Sequence, residues 1–135
     1  MEQVTGIDSA VFIYLLERHP QYFLKAEHIL KAVERGPSQA VLAGIGMVEI
    51  LTGPKKRGRF DIANYYRYYL SSFPHLTIVT MNGQMAELAS DLCAAYSIKA
   101  MDAIHIATAI VFGADTFITN DKQLQKVKEI SVKLL

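Results

Sequence analysis

Four acidic residues, Asp8, Glu49, Asp102 and Asp121, each stand just past a β-like run or at the start of a helix-like one. Asp8 follows Val4-Thr5-Gly6-Ile7, Glu49 follows the run 40–45, Asp121 follows the run 116–120, and Asp102 opens the helical stretch 102–110. Parallel strands that are neighbours bring their carboxyl ends to one edge, where open α/β sheets place their ligands. Two carboxylates about 5 Å apart repel by roughly 3 kcal/mol at an effective dielectric near 20. Four of them therefore converge in ionised form only around a counter-charge. Hard oxygen donors of this kind suit Mg²⁺ or Mn²⁺, which keep several waters and bind phosphate oxygens as well. The expected chemistry is phosphodiester hydrolysis, in which a divalent cation lowers the pKa of a bound water and stabilises charge on the phosphate.

The elements that must position these acids read as strands alternating with helices, the pattern of a parallel α/β sheet. Strands are expected at 4–7, 40–45, 76–80, 116–119 and 130–134. Ser9 is placed to cap a helix at 10–18, which His19-Pro20 ends. A second helix follows at 21–35, stopped by Gly36-Pro37, and a short one at 47–51 is expected to end at Gly53-Pro54. Further helices are expected at 60–72 and 83–96 and from Asp102 onward, with a helical turn after Asp121.

With 135 residues, 51% of them apolar, the chain has the size and composition of one domain with its own core, spanning 1–135. A formal net charge of +1 leaves attraction for a polyanion to a local patch or a metal. Cys93 is the single cysteine, without a disulfide partner or zinc spacing, which fits a reduced, cytoplasmic compartment. The start of the chain has no basic segment followed by an apolar one. The longest apolar run, near 103–114, contains His105 and is too short for a bilayer, so neither processing nor membrane insertion is expected.

Four segments, Ile7-Asp8-Ser9-Ala10-Val11, Met47-Val48-Glu49-Ile50-Leu51-Thr52-Gly53, Asp102-Ala103-Ile104-His105-Ile106-Ala107-Thr108-Ala109 and Gly113 through Thr119-Asn120-Asp121-Lys122, resemble the signature segments of PIN domains, in order and across the whole chain. In size and layout the nearest subgroup is the VapC-type toxins of toxin–antitoxin pairs. The resemblance implies a three-layer αβα sandwich around a small parallel sheet, and a Mg²⁺- or Mn²⁺-dependent endoribonuclease. It implies Asp8, Glu49, Asp102 and Asp121 as the metal-binding catalytic acids, with Ser9 and Thr119 as supporting polar groups. It also implies a cognate antitoxin protein that blocks the site, and a homodimer. In the family a Ser or Thr often precedes the second acid. Here the approach reads Ala43-Gly44-Ile45-Gly46-Met47-Val48, without a hydroxyl to orient Glu49. That departure supports the alternative, a catalytically inactive PIN-fold protein acting as a binding partner.

Competing assignments bound these readings. Acids also favour helix starts as caps and as complements to the helix dipole. Asp115 lies about 15 to 20 Å from Asp121 along the intervening strand and reads as a turn residue; Asp61 and Asp91 read as solvated helix surface. His105, one turn past Asp102, is expected to be a buried, satisfied histidine, the rival roles being a hydrogen bond to that acid or a reach to the scissile phosphate. Lys55, Lys56, Arg57 and Arg59 form the one dense basic run, expected on a loop after the Glu49 helix, and either grip RNA phosphates or stand solvated. Tyr65, Tyr66, Tyr68 and Tyr69 are expected on one broad helix face, for packing or a dimer interface rather than base stacking. Met47, Met81 and Met85 read as core filling, and Lys122 as an exposed helix-start residue. An aspartyl phosphatase is disfavoured because no second Asp lies two residues after Asp8, and a phospho-acceptor receiver because the third strand ends in Thr80-Met81-Asn82.

Overall fold

The computed structural model describes residues 3–135. Strands β1 (Val4–Ile7), β2 (Gln39–Ala43), β3 (Leu76–Val79), β4 (Thr116–Thr119) and β5 (Ser131–Leu134) pair in parallel in the order β3-β2-β1-β4-β5. Between β1 and β3 run α1 (Ser9–Leu16), α2 (Phe23–Arg35), α3 (Gly46–Lys56) and α4 (Phe60–Ser71); α5 (Gly83–Tyr96) and α6 (Ala100–Val111) join β3 to β4. A 3₁₀ turn at Lys122–Lys126 precedes β5.

The central strands β1, β2 and β4 are largely buried because each face of the sheet is covered by helices, the usual condition of a parallel sheet, while the edge strands β3 and β5 are part-exposed. Alternation along β2 divides the interior in two: Ala40 and Leu42 join Val11, Leu30, Ile50 and Leu70 from α1 to α4. Val41 joins Leu92, Ile106 and Phe117 on the opposite face. The chain steps outward from β1 through β2 to β3, then returns past β1 to β4. Right-handed crossovers taken in opposite directions put their helices on opposite faces. The reversal falls between β1 and β4, and opens a crevice at their carboxyl ends. Gly6 permits the close approach of α6 to the sheet, since a Cβ there would lie 2.4 Å from Cβ of Ala109 and 3.0 Å from the Phe117 ring.

Several local expectations need correction. Gly53-Pro54 does not stop α3, which continues to Lys56. Pro54 stands in the last turn, where its missing N–H leaves only the Ile50 carbonyl unserved, and its buried ring packs inward. The N–H groups of Arg57 and Arg59 donate back to the Pro54 carbonyl and that of Gly58 to Lys55, closing the end. Lys55 and Lys56 are therefore helical rather than on a loop. Ser9 is the first residue of α1 and Asp8 is its cap, accepting from the Ala10 N–H at 3.4 Å. α6 begins at Ala100, so Asp102 stands inside its first turn. Met85 is buried and Met47 packs against the core, but Met81 is 49% exposed where the chain leaves β3. The α4 tyrosines divide between two faces, Tyr66 buried and Tyr69 packed on Phe73, with Tyr65 and Tyr68 facing solvent. Among the described residues no helix is long and apolar enough to cross a membrane.

Candidate active site

Asp8 leaves β1 on extended backbone, and its own N–H donates to the Ile118 carbonyl at 2.9 Å, locking the ends of β1 and β4 together. The Thr119 hydroxyl donates to Asp8 Oδ2 at 2.7 Å and accepts from the Asp121 N–H at 3.2 Å. One buried threonine thus spaces two of the four acids. Asp121 caps the 3₁₀ turn by accepting from the Gln123 N–H at 2.9 Å.

Glu49 points from the first turn of α3 toward α1 and α6. Ser9 Oγ donates to its Oε1 at 2.6 Å, and Nε2 of His105 lies 2.8 Å from the same oxygen. The histidine, supported by the Ser9 hydroxyl, holds the Glu49 carboxyl below its ordinary value against the opposing effect of burial. An ionised Glu49 makes His105 Nε2–H the donor. Nδ1 of His105 is buried without a hydrogen-bond partner among the described residues. His105 is therefore buried as expected but only half satisfied, and its partner is Glu49 on another helix rather than Asp102 on its own. The hydroxyl absent from the approach to Glu49 is supplied by α1 instead. Leu42 and His105 together crowd the glycine there: a Cβ on Gly46 would stand 2.8 Å from Leu42 Cδ1 and 3.1 Å from His105 Cε1. The inactive-partner reading loses the one feature that favoured it.

Asp102 is half-buried on α6. Desolvation, then the charges of Asp8 and Asp121, raise its carboxyl above the ordinary value. All four acids line one cleft of about 640 Å³, together with Ser9, Thr119 and Lys122. One ligand atom each of Asp8, Glu49 and His105 lie within 4.8 Å of one another, a group that includes neither Asp102 nor Asp121. Among the described residues no lysine or arginine forms an ion pair with any of the four acids. The four acids are hard oxygen donors that no lysine or arginine pairs with, His105 contacting Glu49 alone, and such a set fits a divalent ion.

The basic run stands elsewhere. None of Lys55, Lys56, Arg57 or Arg59 lines the cleft. Arg57 pairs with Glu17 at 3.6 Å and Arg59 with Asp61 at 3.0 Å. Lys56 lies two turns beyond Glu49, about 10 Å along the helix. Asp115 is exposed at the opposite end of β4, where its carbonyl accepts from Ser131. Sequence reasoning passed over Tyr14, Tyr22 and Asn120, which also line the cleft. Tyr14 and Tyr22 have no chemical pattern around them in the chain, and only the fold of the α1–α2 corner brings them to the acids, whereas Asn120 stands beside Asp121 in the chain.

A model of the PIN domain family matches residues 7–130. Among solved structures, a toxin–antitoxin complex from Klebsiella pneumoniae superposes with a TM-score of 0.73 at 23% identity, covering 96% of this chain and 95% of that one. VapBC2 from Rickettsia felis, solved bound to a DNA fragment from its promoter, gives 0.75 at 17% identity over 98% and 99% of the two chains. Mycobacterium tuberculosis VapC20, described as a sarcin–ricin loop cleaving toxin, gives 0.72 at 13% identity over 96% and 99%. Likeness at these identities establishes the shared fold. No curated protein matches the sequence.

Proposed function

The chain belongs to the PIN domain family, and from that premise we propose that it is a Mg²⁺- or Mn²⁺-dependent endoribonuclease, the toxin of a toxin–antitoxin pair acting in the cytoplasm. The observation that carries the reading is the convergence of Asp8, Glu49, Asp102 and Asp121 in one cleft, where among the described residues no lysine or arginine forms an ion pair with any of them. Asp8, Asp102 and Asp121 would hold the cation and Glu49 would complete its shell directly or through water, its Oε1 being already engaged by Ser9 and His105. A bound divalent cation supplies a nucleophile at neutral pH and positive charge against the phosphate.

The protein's own groups do the rest. Thr119 fixes the rotamer of Asp8 while receiving the Asp121 N–H, so the two acids keep their spacing in the absence of substrate. Ser9 and His105 fix Glu49, and both of their hydrogen bonds weaken it as a base. Asp121, exposed at the mouth of the cleft, is the carboxylate assigned to take the proton from the attacking water. Hydrolysis of this kind leaves the 2′-hydroxyl unused and gives 5′-phosphate and 3′-hydroxyl ends. Lys55 and Lys56, free of ion pairs among the described residues, are proposed to draw in the RNA backbone.

The complexes solved for Klebsiella and Rickettsia relatives support a cognate antitoxin. Exposed Phe60, Tyr65 and Tyr68 on α4, at 59%, 60% and 70%, support burial of that face in a homodimer. The test is incubation of wild type and Asp102→Asn with total RNA in Mg²⁺, Mn²⁺ or EDTA, followed by mapping of 5′ ends. Discrete 5′-phosphorylated cuts from wild type alone, abolished by EDTA, are expected. Cuts bearing 2′,3′-cyclic phosphate, or equal fragmentation by both proteins, would overturn the assignment.

A further inference from the structure

We infer that the cleft contains a base-stacking subsite, formed by Tyr14 and Tyr22 and braced by His19, which receives an unpaired RNA nucleobase flanking the scissile phosphate. The inference rests on the ribonuclease reading and adds what the acids alone do not provide, a means of holding a nucleotide beside them. Both tyrosines line the cleft that contains the four carboxylates. Their rings lie 5.0 Å apart at 31°, and His19 stands 4.9 Å from Tyr14 and 5.1 Å from Tyr22.

The α1–α2 corner builds this cluster deliberately tight. α1 ends through Arg18, held at a left-handed φ of 52°, and the His19 N–H returns to the Tyr14 carbonyl at 2.9 Å. His19 Nδ1 accepts from the N–H groups of Gln21 and Tyr22 at 3.1 and 3.2 Å, so the imidazole closes the turn that presents Tyr22. The cluster is also tied to the acids: Asn120 Nδ2 donates to the Tyr14 hydroxyl at 3.2 Å, and Asn120 immediately precedes Asp121. Tyr14 is anchored against the core below, while Tyr22 belongs to neither core cluster and remains part-exposed on the cleft wall.

A carboxylate site gains nothing from aromatic walls for holding a cation. A single-stranded polynucleotide does, because every base offers a π-face and stacking is tolerant of sequence. The cleft volume of about 640 Å³ also leaves room beside the acids for a nucleotide. A purine, with its larger π-surface, is the base expected to be retained best.

The test uses a single-stranded oligoribonucleotide spanning a cut mapped from total RNA, with and without an abasic residue on either side of that cut. Wild type, Tyr22→Phe and Tyr22→Leu are compared by kcat/KM after their unfolding midpoints are matched. An abasic residue on one side is expected to cost wild type about tenfold, to cost Tyr22→Phe about the same, and to cost Tyr22→Leu nothing further. Cleavage by wild type with equal abasic penalties in all three proteins would overturn the subsite alone. Absence of any cleavage by folded wild type would overturn the ribonuclease reading and the subsite with it.

Discussion

Replacing Asp102 with Asn is expected to stabilise the metal-free protein while abolishing its response to Mg²⁺. Burial and then the charges of Asp8 and Asp121 push the Asp102 carboxyl above its ordinary value, and His105 offsets them only in part. A carboxyl whose folded pKa is raised contributes stability that is present below its unfolded pKa and lost as pH rises through the folded one. Near neutral pH the ionised group therefore opposes the metal-free fold. At a separation on the order of 7 Å, taken as a working scale for carboxylates that share a cleft, and a dielectric of about 40 to account for solvent screening, each repulsion is about 1 kcal/mol. Asn keeps the shape and removes the charge, so a gain of about 1 to 2 kcal/mol is expected, or roughly 3 to 6 °C in Tm for a chain of this size. Wild type with Mg²⁺ at about a hundred times its Kd should gain about 2.7 kcal/mol, and the variant almost none. Thermal unfolding of both proteins in EDTA and across a Mg²⁺ titration measures each quantity, and the EDTA difference should shrink toward pH 4. A variant no more stable than wild type in EDTA, or a wild type indifferent to Mg²⁺, would refute the reasoning.

Removing the Ser9 hydroxyl that donates to Glu49 at 2.6 Å, by Ser9→Ala, should weaken Mn²⁺ binding about tenfold, as losses around metal ligands do; Mn²⁺ electron paramagnetic resonance reads this without RNA. Gly6→Ala should lose about 2 kcal/mol by urea unfolding, because the new methyl would meet Ala109 Cβ at 2.4 Å between sheet and helix. Replacing Lys55 and Lys56 together with Ala should lower the slope of log Kd against log salt by about 1.4 for a single-stranded RNA, at about 0.7 per phosphate contact. Arg59→Ala should change that slope little, since Asp61 already holds its guanidinium.

The sequence by itself determined the fold class and singled out four acids that the fold brings to one cleft. Short apolar strands alternating with helices imply a parallel sheet, and an acid just past a strand is visible in one dimension because the strand's end fixes where the next side chain begins. The boundary errors came from local rules overridden by packing. Gly53-Pro54 ends a helix in isolation, but a proline in the last turn forfeits one hydrogen bond, and the buried ring and returning N–H groups make that tolerable. The reading of Met81 as core failed for the related reason that residue type does not say where the chain leaves the sheet.

Tertiary structure alone decided how each acid is held. The partner of His105 is Glu49, 56 positions away, and the Glu49 hydroxyl comes from Ser9, 40 positions away. No spacing rule reaches across such separations, because both contacts arise where α1, α3 and α6 meet over the sheet. The aromatic corner is hidden for the same reason, since Tyr14 and Asn120 are 106 residues apart and meet only because β4 lies beside β1. Residue types along the chain carried the chemistry of the site, while the strand order, with its reversal between β1 and β4, decided which side chains share it.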